Sequence, residues 1–248
     1  MAFRILSLLA AACLGTAAPA LATVIISQTY ETVATVPLKQ TFGTTRDWRA
    51  EAMEPRIRRE EPAQLCFMVE GGDQACTSII SQAENGAPFL NYTKIKKLAV
   101  VAAAPQVKAL VLEALFPQDL NMSIQTSLWT YSRETDSFGP VLTFALTEVG
   151  RYRILADGPL AGHVLTAEFV PGKNENRYDA HRFRITAYRW MGARFEQVLS
   201  YVTPERFDGE TEESADEVQE NIFAHEMPRI RALLKQVYPE MKARIPPP

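Results

Sequence analysis

Leu128-Trp129-Thr130-Tyr131, a polar turn over residues 132–137, then Phe138, Val141-Leu142 and Phe144 form the stretch on which the fold is read. It returns fifty-seven residues later as Ile185-Thr186-Ala187-Tyr188, residues 189–194, Phe195, Val198-Leu199 and Tyr201. The spacing of Tyr, six residues, Phe, two residues, Val-Leu, one residue, aromatic is the same in both copies. Alternating large apolar side chains on either side of a polar turn describe two antiparallel strands that bury one face. A lone hairpin does not hold in water, so related hairpins must share a core.

Upstream, Val111-Leu112 and Glu168-Phe169 keep the same offset, which extends the echo to a preceding strand in each unit. A fainter third copy places Val69, Cys76 and Ile79-Ile80 around Gly71-Gly72. Three units are too few to close a propeller of four to eight blades. The expected class is therefore mainly β, an antiparallel sheet or sandwich of repeated strand-turn-strand units.

Residues 23–42 are rich in β-branched side chains and read as extended, with breakers at Pro37 and Gly43. Ten of the sixteen residues in 46–61 are charged with both signs mixed, which reads as an exposed connection with one short helix near Arg49. At the other end, eight of sixteen residues in 205–220 are Asp or Glu, and Ser214-Ala215-Asp216-Glu217 has the form of a capping box. Val218, Ile222, Ile230, Leu233, Leu234 and Val237 follow at helical spacing, predicting an amphipathic helix over 214–238 that docks on the β core. Pro228 is expected to kink that helix or start a second one, because it has no N–H to donate. Residues 246–248 form a proline tail.

The first 22 residues read as an address. One positive charge at Arg4 precedes an apolar run over 5–15 broken only by Ser7, and Ala20-Leu21-Ala22 supplies small residues for cleavage after Ala22. The run is too short to span a bilayer, which needs about 20 apolar residues, and no later stretch reaches that length uncharged. Cys13 follows three alanines where a lipobox has a leucine, so lipidation is the weaker reading. The expected product is a single β-rich domain over 23–248, periplasmic or secreted, with no transmembrane segment. Lys plus Arg (26) and Asp plus Glu (29) nearly cancel, to a net charge of -3, which lacks the cationic excess that nucleic-acid binding requires. Cys66 and Cys76 flank the Gly-Gly turn, and a hairpin there sets the two sulfurs opposite each other in one disulfide. Their nine-residue separation is not the CxxC of a redox pair.

Catalytic patterns are scarce. GxSxG, Walker, GxGxxG and HExxH spacings do not occur. His225-Glu226 approaches a zinc helix, but Arg229 stands where the second His belongs. Asp208, Glu210, Glu212 and Glu213 lack the central Gly and the terminal Glu of a calcium loop, and read as a solvated helix start. No cofactor and no metal site is assigned. His181 and Asp179, in a polar loop before the second hairpin, fall on one side of an extended segment; a carboxylate fixes a histidine tautomer, as a base or ligand needs. The alternative for this pair, and the plainer one, is pinning a strand start. His163 reads as a turn residue before a strand. Trp129, Tyr131, Tyr188, Trp190, Phe195 and Tyr201 either fill the core face or form a platform for sugars or a partner, and Trp129 and Trp190 are the candidate contacts in the second case.

Thr186-Ala187-Tyr188-Arg189-Trp190, Gly192 and Phe195 resemble the strand-turn-strand units of secreted bacterial β-repeat proteins of the FG-GAP type, over roughly residues 107–203. The acidic DxDxDG calcium loop of that family is absent here, so calcium binding does not carry over. The resemblance, shared with uncharacterised exported proteins of Gram-negative bacteria, implies a non-catalytic binding or scaffolding role in the cell envelope, toward an envelope protein or glycan. The competing reading is a hydrolase or metal-dependent enzyme built around His181 and Asp179.

Overall fold

A computed structural model describes residues 30–56, 61–82, 88–89, 93–117, 122–147, 150–173, 175, 179–207 and 215–238. The expected leader and its cleavage after Ala22, Ser214 of the expected capping box and the tail over 246–248 lie outside these. Three successive four-stranded antiparallel meanders make up most of the chain. Sheet I contains β1 (Tyr30–Pro37), β2 (Trp48–Pro55), β3 (Gln64–Val69) and β4 (Gln74–Ser78). After a small ladder of β5 (Ser81–Gln82) and β6 (Pro88–Phe89), sheet II contains β7 (Lys94–Ala104), β8 (Val107–Pro117), β9 (Met122–Ser132) and β10 (Ser137–Thr147). Sheet III contains β11 (Arg151–Leu155), β12 (His163–Val170), β13 (Arg182–Trp190) and β14 (Phe195–Val202). Two helices are described: the single turn α1 (Lys39–Phe42) and the long α2 (Ala215–Val237). No helix among the described residues is long and apolar enough to cross a membrane.

The layers stack in chain order. Strand β8 shows why: Leu110, Leu112, Ala114 and Phe116 pack with Trp48, Ala50, Leu65 and Phe67 of sheet I. The residues between them, Ala109 and Val111, pack with Val164, Tyr188 and Phe195 of sheet III. A strand buried on both faces reads as a nearly continuous apolar run, as residues 109–116 do. The far face of sheet III, with Leu165, Ala167, Phe183, Ile185 and Ala187, is covered by Ile222, Phe223, Ile230 and Leu234 of α2.

The two hairpins of the echo, β9–β10 and β13–β14, are equivalent in this stack. Each has a four-residue turn, and each carries a bulge at the matching valine, Val141 or Val198. The extra residue reverses which face the following side chains meet. Phe138 therefore packs toward sheet I while Phe144 packs toward sheet III, and Phe195 packs toward sheet II while Tyr201 packs toward α2. Closer to the turn the copies differ: Tyr131 lies opposite Phe138, whereas Phe195 lies opposite Trp190. The upstream echo is out of register. Val111 faces Leu128 but Ile185 faces Ala167, and a slip of one residue exchanges the two faces. The third hairpin, β3–β4, has the same turn length and no register shift.

Three expectations are corrected. Within the charged segment 46–61, the stretch expected to hold a short helix near Arg49 is instead β2, a central strand of sheet I, with Trp48, Ala50, Ala52 and Glu54 buried and the alternate positions outward. Its charges lie mostly on the outward face, and the buried face carries two alanines, which weaken the period-2 signal. Lys39–Phe42 is helical rather than extended, closed by Gly43 in the left-handed region at φ 61°. Pro228 does not start a second helix: α2 is one 23-residue helix running through it, its buried stripe outweighing one missing backbone bond. Val237, expected on that stripe, is 49% exposed.

Candidate functional site

At the turn end of the stack, a cleft of about 670 Å³ opens between sheets II and III. Trp190, the last residue of β13, and Tyr131, near the end of β9, both line it. Each ring is fixed from behind. Trp190 packs edge-on against Phe195 at 5.2 Å, and its backbone N–H donates to the Gly162 carbonyl at 2.8 Å. Tyr131 packs on Phe138 at 5.3 Å and donates its hydroxyl to Asp136 Oδ1 at 2.5 Å. Thr130, Ser132, Gln106 and Lys108 line the same cleft, with Arg133 and Glu134 at the turn. Gln106 follows Pro105 in the two-residue β7–β8 turn and has φ 62°, where glycine or asparagine is the usual occupant. A glutamine held there places a hydrogen-bonding side chain at the cleft at the cost of backbone strain.

Asp136 organises the adjoining surface. Its carboxylate also accepts from Thr45 Oγ1 (3.0 Å), Trp48 Nε1 (3.2 Å) and Arg46 Nε (2.6 Å), which ties the β9–β10 turn to sheet I. The Tyr131 hydroxyl, with help from the indole, guanidinium and threonine donors, holds its pKa down at about 2 against the ordinary 3.8. Arg46 bridges onward to Asp73 of the β3–β4 turn at 2.7 Å and lies over the Trp48 ring.

Among the residues singled out from sequence, Trp190 stands at the cleft and Trp129 does not. Trp129 is 8% exposed, packed against Phe67 at 5.5 Å with its Nε1 donating to Ser127 Oγ, so it is core. Cys66 and Cys76 are directly paired across β3–β4 and form the expected disulfide. His181 is buried, 2% exposed, at the opposite end of β13 from Trp190. The carboxylate that Nδ1 meets is that of Glu175, at 3.0 Å, where the sequence expectation named Asp179. Glu175 is held in turn by Arg206, which also donates to the Ala180 carbonyl. The His181 and Phe207 backbones exchange both hydrogen bonds at 2.8 Å, so this group pins the start of β13. The histidine and arginine donors draw the Glu175 pKa below the usual carboxylate value. Among the described residues no cluster of three or more His, Cys, Asp or Glu is placed to hold a metal ion.

Sequence reasoning missed Asp136, Arg46, Gln106 and Lys108. The only signal for Gln106 was its place after Pro105; Asp136 and Arg46 lie 90 residues apart and meet only through sheet stacking. The cleft offers flat rings and neutral or charged hydrogen-bonding groups, with no histidine or cysteine in its lining. That set suits holding a polar ring rather than activating a nucleophile. In class, the fold is a stack of three β-meanders capped by a helix. Comparison with family models, with curated proteins and with solved structures finds no match for this chain.

Proposed function

We propose that this protein is a non-catalytic binding module exported to the cell envelope, and that the turn-end cleft holds an envelope glycan. The observation that carries this reading is the pairing of two fixed rings, Trp190 and Tyr131, with Thr130, Ser132, Gln106 and Lys108 in one cleft. Sugars present apolar ring faces that stack on aromatic side chains and hydroxyls that need donors and acceptors around the rim. Rings fixed by their own packing lose little freedom on binding. The leader-like first 22 residues and the Cys66–Cys76 disulfide support export, since disulfides persist in oxidising compartments. The resemblance of β13–β14 to FG-GAP-type hairpins supports a scaffold that binds through its turns.

The test is a thermal-shift screen of the 23–248 protein against cell-wall fragments, polysaccharides, calcium and zinc, with Trp190→Ala and His181→Ala alongside. A ligand at one hundred times its Kd stabilises by about 2.7 kcal/mol, a readable shift. A saccharide shift kept in His181→Ala and lost in Trp190→Ala is the expected result. A shift lost only with His181, or a response to zinc alone, contradicts the binding-module reading and favours the enzyme.

A further inference from the structure

The cations around the turn end of the stack are engaged, apart from two. Lys39 pairs with Asp47 at 2.8 Å, Arg194 with Glu196 at 3.0 Å, and Arg46 with both Asp73 and Asp136, at 2.7 and 2.6 Å. Arg189 lies over the Tyr238 ring. Lys108 and Arg133 are the exceptions: both are exposed, both line the turn-end cleft, and among the described residues neither forms an ion pair. The one carboxylate in the cleft lining, Glu134, is exposed and pairs with neither of them.

Both cations stand on the α1 side of the cleft. Lys108 continues the row of β8 that carries Leu110 and Leu112 toward sheet I, since alternate residues of a strand share a face. Arg133, the first residue of the β9–β10 turn, rests against Gly43 at the end of α1, where an added Cβ would lie 3.5 Å from Arg133 Nη2. Trp190 comes from sheet III, on the other side of sheet II. The turns gathered at this end, over 43–47, 70–73, 105–106, 133–136, 156–162 and 191–194, are all among the described residues. The described lining therefore carries two cations against one anion, in a chain whose net charge is -3.

We infer, resting on the reading of this cleft as a glycan site, that its ligand is an acidic saccharide, whose ring stacks on Trp190 and whose carboxylate is held by Lys108 and Arg133. A guanidinium fork matches a carboxylate with two parallel hydrogen bonds, and an ammonium adds a point charge beside it. A neutral sugar stacks on the same ring but leaves both cations in water, so the carboxylate both adds affinity and selects among saccharides. The volume of about 670 Å³ falls in the range of small-molecule sites.

The test is a calorimetric titration of the 23–248 protein at low salt with trigalacturonic acid, with its methyl ester, which keeps the rings and removes the charge, and with a triaspartate peptide, which keeps the charge and removes the rings. Trigalacturonic acid is expected to bind saturably, and the ester and the peptide at least tenfold more weakly. Lys108→Gln combined with Arg133→Gln is expected to weaken trigalacturonic acid at least tenfold and to abolish its advantage over the ester, while the thermal midpoint without ligand stays within a few degrees of wild type. The comparison of acid with ester in the wild-type protein needs no variant to fold. Acid and ester binding equally, both lost in Trp190→Ala, overturns this inference and leaves the glycan reading standing. Failure of both saccharides to bind the folded protein overturns the two together. Affinity undiminished in the double variant, or the peptide binding as tightly as the trisaccharide, also overturns the inference.

Discussion

Asp136 joins two sheets through one carboxylate, and its protonation state is therefore tied to the turn end of the stack. Its pKa is held at about 2, chiefly by the Tyr131 hydroxyl, so the folded state favours the ionised form. The stabilisation is complete above the ordinary carboxylate range and fades as pH falls from about 4 toward 2. Asp136→Asn is expected to lower the thermal midpoint at pH 7 and to show a smaller further loss between pH 4 and pH 2 than wild type. His163 acts higher on the scale. Burial pushes its pKa below 6.5, with the Arg189 charge adding to the effect and hydrogen bonds to backbone opposing it. The neutral ring is the folded form, so its contribution is complete above 6.5 and is lost progressively below it. Thermal melts stepped from pH 7.5 to 5 are expected to show a decline in wild type that His163→Gln reduces; parallel declines contradict the assignment.

At the scale of elements, two residues sit where local rules are broken. Pro228 interrupts the hydrogen-bond ladder of α2, and a helix-interior proline costs about 3 kcal/mol relative to alanine. Pro228→Ala is expected to raise the stability measured by urea unfolding, by about 1–3 kcal/mol. Gly150 is the opposite case. A Cβ there would lie 2.5 Å from Glu168 Oε2 and 2.8 Å from Leu146 Cβ. Glu168 is engaged at that place, accepting from Thr147 N at 2.9 Å and Thr147 Oγ1 at 2.6 Å, which fastens the end of β10 to sheet III. Gly150→Ala is expected to destabilise by about 1–3 kcal/mol in the same assay, the usual range for overpacking.

The elements legible in the sequence were those whose own side chains carry the burial pattern. The two echoing hairpins and α2 were of this kind, though the bulges at Val141 and Val198 were not. β2 was not, because its buried face carries two alanines between Trp48 and Glu54 and its outward face carries charge. The cleft was half legible: Trp190 and Tyr131 belong to the echoing hairpins, while Gln106, Lys108 and the Asp136–Arg46 bond are assembled only by stacking. Glu175, six residues before His181, is not legible as its partner, because alternation along an extended segment pairs His181 with Asp179.

Across the whole molecule, each meander covers the next, and the apolar faces are consumed in chain order from sheet I to α2. The first layer has an edge strand, β4, whose residues are all exposed, and the disulfide fastens that strand to β3. A closed loop of this length contributes on the order of 2–3 kcal/mol, so reductant is expected to lower the thermal midpoint, and alkylation of unreduced 23–248 protein to find no free thiol. Two alkylatable thiols would contradict the pairing. The same stacking order brings α1, the β7–β8 turn and the two echoing turns to one end, and so builds the cleft proposed as the glycan site. The most direct measurement is a calorimetric titration of the 23–248 protein with defined cell-wall glycan fragments, run in parallel with Trp190→Ala and Trp129→Phe. Saturable binding that survives Trp129→Phe and falls at least tenfold in Trp190→Ala is the predicted result. Equal affinity in all three proteins, or no binding by the folded wild type, contradicts the account.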